Sequence, residues 1–141
     1  MCGPLRLREA AQRAWRAAGR PAERLRFETF ASGGRFAPEP FLVRIRHDPR
    51  EVLVPENRTM LDALRDAGVE VMWDCLRGEC GLCAVGVLEV EGELDHRDVF
   101  LSEEQRAQAT QICTCVSRAV GGSITIDTGF RPSAAAAAAP A

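Results

Sequence analysis

The sequence contains no lysine: all 18 basic residues among its 141 are arginine. With alanine abundant, that absence reflects coding bias and carries no functional weight. No apolar stretch approaches the ~20 residues a membrane helix needs. The start, Met1-Cys2-Gly3-Pro4-Leu5-Arg6, lacks the long apolar core of a secretion signal. The expectation is a soluble, cytoplasmic protein with no membrane partner. There are two histidines, His47 and His96, neither with a clustered partner, which argues against histidine ligation of a metal. No internal repeat is visible. The length is about that of one domain and excludes a multidomain enzyme. A composition 46% hydrophobic and 27% charged supports a buried core and excludes wholesale disorder.

Charge divides the chain. Residues 1–40 carry 8 Arg against 4 Glu, whereas residues 41–130 carry 9 Arg against 16 acids. A net acidic second part argues against nucleic acid, which requires clustered positive charge. A helix is expected from Pro4 to Ala18, with Leu7, Ala11, Ala14, Trp15 and Ala18 along one stripe and Gly19 as its stop. Leu25–Phe30 alternates as a strand does, and Ala31 to Pro40 reads as a linker. Beyond it come two strands, 41–46 and 51–54, around a turn at His47-Asp48-Pro49-Arg50, then a helix over 59–68. A strand over 84–90 and a capping box at Ser102 to Gln105 follow. Strands at 111–116 and 123–127 close the domain, and residues 130–141 form an alanine-rich tail expected to be disordered. The fold class expected is α+β, a mixed sheet with one main helix.

The six cysteines are Cys2, Cys75, Cys80, Cys83, Cys113 and Cys115. Without a secretion signal, and with five of them in two clusters, metal or cluster ligation is favoured over disulfides. Cys75-Leu76-Arg77-Gly78-Glu79-Cys80-Gly81-Leu82-Cys83 is C-x4-C-x2-C, the plant-type [2Fe–2S] spacing. Four thiolates must converge on two bridged irons, so three come from one tight loop and the fourth from a distant segment. Gly78 and Gly81 allow left-handed φ and bring backbone N–H groups close to the sulfurs. Zinc is the simplest competing ligand, but zinc ribbons pair two C-x2-C knuckles and Cys113-x-Cys115 makes a poor second one.

Cys75 to Cys83, Asp95-His96-Arg97-Asp98-Val99-Phe100-Leu101-Ser102 and Cys115-Val116-Ser117-Arg118-Ala119 together resemble the C-terminal ferredoxin domain of vanillate demethylase and phthalate dioxygenase type reductases. The resemblance covers roughly residues 41 to 128. It implies a β-grasp fold, a [2Fe–2S] cofactor and one-electron transfer from a reduced flavin to a Rieske-type oxygenase. It also implies that Cys75 and Cys80 hold one iron, and Cys83 with the late cysteine the other. Between Cys83 and Cys113 lie 29 residues, the commonest plant ferredoxin interval, and between Cys83 and Cys115 lie 31. Spacing favours Cys113. Local sequence favours Cys115, which precedes the family's Val-Ser-Arg, and in one strand the two would share a face with only one at cluster distance. Cys115 is the choice, with Cys113 a buried thiol.

Cys2-Gly3-Pro4 resembles a signature late in the nicotinamide-binding domain of the same reductases. Residues 1–40 thus read as a remnant of that domain plus linker, 41–129 as the ferredoxin domain and 130–141 as tail. Lacking flavin and complete nicotinamide sites, the chain alone is not expected to oxidise NADH. It would be the ferredoxin part of an oxygenase reductase, with a flavin reductase or domain as donor. The alternatives are a subunit completed by separate flavin and nicotinamide chains, a non-redox zinc module, or an inactive truncation. His96 is placed in a polar surface loop, and Asp95, Arg97 and Asp98 in a group of loop-fixing hydrogen bonds. Glu89, Glu91 and Glu93 form a solvated acidic edge able to steer a partner.

Overall fold

In the computed structural model, residues 5–27 and 34–131 are described. Cys2, the end of the expected strand at 28–30, and 132–141 of the expected tail lie outside them. The chain divides into two compact units, Met1–Gly33 and Gly34–Ala141.

In the first unit, α1 spans Leu5–Ala17. Pro21 breaks the backbone and a 3-10 turn follows at Ala22–Arg24. The Trp15 indole N–H donates to the Pro21 carbonyl at 2.8 Å while Arg20 stacks on its ring, so the aromatic ties α1 to the segment that follows it. The strand expected from Leu25 does not form over Leu25–Phe27. Leu25 is extended, at φ −86° and ψ 105°, but this segment pairs with no strand among the described residues.

In the second unit, alternation of Phe41, Val43 and Ile45 with more exposed residues gives β1, Phe41–Ile45, one face of which is buried. It pairs antiparallel with β2, Asp48–Val54. The intervening turn is shorter than the sequence suggests. His47 takes φ 64°, so Arg46-His47 reverses the chain in two residues and Asp48 already pairs with Ile45. Next comes α2, Met60–Asp66, capped by the Thr59 hydroxyl accepting from Asp62 N–H. Its Met60, Leu61, Ala63 and Leu64 are buried in the core.

β3 runs over Ala84–Asp95, five residues beyond the expected end, because β5 supports it as far as Asp95 opposite Arg118. A short helix α3, Glu103–Gln108, opens on the expected capping box, with the Ser102 and Gln105 side chains bonding each other's backbone N–H. β4, Gln111–Cys113, and β5, Arg118–Asp127, complete a five-stranded sheet in the order β2-β1-β5-β3-β4. β1 and β5 are parallel and the other neighbours antiparallel. This is the α+β arrangement expected. β4 stops at Cys113 rather than Val116 because the Val116 and Ser117 N–H groups turn back onto the Cys113 carbonyl.

Arg118 joins the pieces. Its buried guanidinium donates to the carbonyls of Arg58, Glu39 and Pro55 and lies over the Phe41 ring. It thereby fastens the start of β1 and the segment before α2 to β5.

Candidate metal centre

The segment from Val71 to Cys83 has no regular structure, and its shape comes from a few backbone choices. Gly78 and Gly81 have φ of 72° and 77°, as their placement between the cysteines suggests; Leu76 is also left-handed, at 56°. That curl turns N–H groups inward. The Cys75 sulfur accepts from Arg77 and Glu79 N–H, each at 3.4 Å. From outside, the Val99 N–H donates to the Gly78 carbonyl at 2.9 Å. A Cβ on Gly78 would lie 2.6 Å from Val116 Cγ2 and 2.9 Å from Asp98 Cα. One on Gly81 would strike the Phe100 ring.

The last cysteine of the loop, Cys83, is buried at the head of β3. Its carbonyl accepts from both the N–H (3.2 Å) and the hydroxyl (3.1 Å) of Thr114, while the Thr114 carbonyl accepts from Leu61 N–H at 3.0 Å. The loop, the turn 114–117 and α2 are thereby fixed to one another. Because the strand ends at Cys113, Cys113 and Cys115 do not share a strand face, and that sequence argument for choosing between them falls. The turn carries Cys115 to the loop instead: its neighbour Val116 packs against Gly78, and the Cys115 sulfur lies within the field of Cys75. The Cys113 sulfur meets Cys83 and feels the charge of Asp98.

Electrostatics sorts the thiols into two groups. Burial pushes the Cys75 thiol up, but the backbone N–H groups of Arg77, Glu79 and Cys80, with the Cys80 thiol, draw it down to about 7. Hydrogen bonds from the Cys113 and Cys115 thiols hold Cys83 as a thiolate, at about 2. The same contacts, with burial, push Cys113 and Cys115 up. Among the described residues no three His, Cys, Asp or Glu side chains converge as a single ion would require. Cys75 and Cys80 on an N–H-lined loop, with the buried Cys83 meeting the late cysteines, fit a two-iron cluster, in which each iron takes two protein sulfurs.

His96 differs from expectation. Its side chain is only 9% exposed, its two ring nitrogens have no hydrogen-bond partner among the described residues, and Nδ1 lies 3.7 Å from Asp98 Oδ1. The polar run around it is folded inward by Asp95 and Asp98, both fully buried. Asp95 accepts from the Arg35 N–H and the Arg97 guanidinium. Arg118 is the functional support that sequence reasoning missed; its signal was an arginine opening the alternating apolar run of β5. His47 lies exposed in the β1–β2 turn. Among the described residues no helix is long and apolar enough to cross a membrane.

An all-cysteine donor set, grouped in this way on a glycine-shaped loop, is that of an iron–sulfur protein. The 2Fe-2S iron-sulfur cluster binding domain family matches residues 43–120, more than half of the chain, and the chain belongs to that family. Its cofactor is a [2Fe–2S] cluster. Phthalate dioxygenase reductase of Burkholderia cepacia is 38% identical over 109 residues, 76% of this chain and 33% of that protein. The solved phthalate dioxygenase reductase, described as a modular structure for electron transfer from pyridine nucleotides to [2Fe–2S], superposes with a TM-score of 0.61 at 33% identity, over 89% of this chain and 38% of that one. An intact type IV self-sufficient cytochrome P450 monooxygenase superposes with a TM-score of 0.64 at 37% identity, over 89% of this chain and 16% of that one. The chain thus spans a third or less of the length of curated relatives such as the first.

Proposed function

We propose that this chain is the one-electron carrier of an oxygenase reductase system, with Cys75, Cys80, Cys83 and Cys115 as cluster ligands. It takes electrons from a reduced flavin in a reductase protein or domain and passes them to a Rieske-type oxygenase in the cytoplasm. The observation that carries the ligand set is the turn 114–117, which is fixed to the Cys83 carbonyl through Thr114 and packs Val116 against Gly78, so that Cys115 between them faces the loop of three cysteines. The bound cluster supplies a centre that gains and loses single electrons. The chain's own residues hold and expose it: Gly78 and Gly81 shape the loop, Thr114 fixes Cys83, and Asp98 packs the loop from behind. Cys80, Leu76 and Leu82 are exposed, which leaves the edge of the site open to a partner at short electron-transfer distance.

Residues 41–129 are the working unit in this reading, and residues 1–40 correspond to the end of a nicotinamide-binding domain. Likeness to a self-sufficient P450 favours a second reading, in which the acceptor is a haem monooxygenase. Visible absorption of the purified protein tests the ligand set. Cys115→Ser should bleach the red-brown colour and Cys113→Ser should leave it; the reverse pattern overturns the assignment.

A further inference from the structure

Asp98 is 1% exposed and touches both the cysteine loop, at Gly78, and the turn that carries Cys115, at Ser117. Its Oδ2 accepts from Leu101 N–H at 2.8 Å and its Oδ1 from the Ser117 hydroxyl at 3.1 Å, two residues beyond Cys115. Its Cα backs directly onto Gly78, between Cys75 and Cys80. The Arg106 guanidinium on α3 lies 3.7 Å from Oδ2 and also donates to the Asp98 carbonyl oxygen. Burial pushes the carboxyl up, but His96, Leu101 N–H, Arg106 and Ser117 outweigh it and hold it ionised. That charge reaches the site at the Cys113 thiol, which it helps push up and which itself meets Cys83.

We propose that Asp98 is a potential-setting positioning residue: a buried fixed anion that locks the cysteine loop to the Cys115 turn and keeps the reduction potential low, with Arg106 on α3 offsetting part of its charge. The inference rests on the cluster assignment made above. Reduction brings one electron, from a reduced flavin or from dithionite, and adds one negative charge to the site with no bond made or broken at Asp98. A buried like charge close by opposes that addition far more than it would across water. Net charge and hydrogen bonding near the sulfurs are the levers that set such potentials.

The two residues give opposite signs. In the full chain loaded with its cluster, the midpoint is read by dithionite titration with mediator dyes, following visible absorbance. Asp98→Asn should favour the reduced form about tenfold, a rise of about 59 mV for one electron. Arg106→Gln, on a partly exposed helix, should shift the midpoint severalfold the other way. A loosened loop has no reason to produce opposite shifts. An unchanged Asp98→Asn midpoint overturns the inference, as does an Arg106→Gln midpoint that stays or rises. If Asp98→Asn takes up no cluster, Arg106→Gln decides alone: a fall supports the inference and anything else overturns it. A wild-type chain that takes up no iron and sulfide overturns the cluster assignment and the inference with it. A loaded wild type with insensitive midpoints overturns the inference only.

Discussion

Gly78 has room for a hydrogen and nothing larger, and Gly81 differs in a way that can be measured. Behind Gly78 stands Asp98 backbone, which cannot retreat; against Gly81 lies the half-exposed ring of Phe100, which can rotate away. Both substitutions to alanine carry the left-handed penalty of ~1–2 kcal/mol. Gly78→Ala adds an unrelieved overlap, so it should lose most cluster absorbance per chain, whereas Gly81→Ala should keep its colour with a modest fall in denaturant midpoint. Asp127 gives a residue-scale pH prediction. The Arg131 guanidinium, then Gly129 N–H, hold its carboxyl down to about 2. A depressed acid stabilises the fold above its unfolded value, near 3.9, and that contribution is lost as pH falls through about 2. Carboxyl NMR should find the low midpoint, and Arg131→Gln should return it towards the ordinary range. The ligand types and the glycines were legible because their chemistry is local. The inward fold of His96 was not, since it depends on Asp98 finding Ser117 and Leu101 in three dimensions.

At the scale of elements, caps and alternation read well, while strand ends were decided by partners. Thr59, and Ser102 with Gln105, are local signals, and both helices start where these residues stand. β3 outran its apolar run because β5 lies beside it, so Glu91 could stay in the strand facing the Ser123 hydroxyl at 2.7 Å. β4 ended early because its next two free N–H groups found the Cys113 carbonyl, a turn that no propensity marks. Arg118 is where three segments meet, and its planar fork reaches three carbonyls that a lysine cannot reach together. Buried carbonyls left without donors cost about 1–3 kcal/mol each. Arg118→Lys should therefore lower unfolding free energy by roughly 2–4 kcal/mol in a denaturant titration. Loss of less than about 0.5 kcal/mol, the range of ordinary surface changes, would show that the three carbonyls have other partners.

At the scale of the molecule, the acidic bias of residues 41–130 gives a field rather than a contact. Glu89, Glu91 and Glu93 on β3 are exposed, so an oppositely charged donor should be drawn in faster at low ionic strength. Stopped-flow reduction by a flavin reductase should slow as salt rises from 0.01 to 0.15 M, where the screening length shrinks from about 30 to 8 Å. A flat rate removes electrostatic steering from the account. The overall fold was legible from the order of strands and helices, and the family from the C-x4-C-x2-C loop with its late cysteine. Partner identity was not, because relatives with similar domains serve different terminal enzymes. The most direct test of the central claim is an anaerobic reductive titration of the purified chain with iron and sulfide quantified. The account predicts two irons and two sulfides per chain and uptake of one electron, with this capacity kept in Cys113→Ser and lost in Cys115→Ser. A colourless chain that binds a single metal ion and takes up no electron would contradict it.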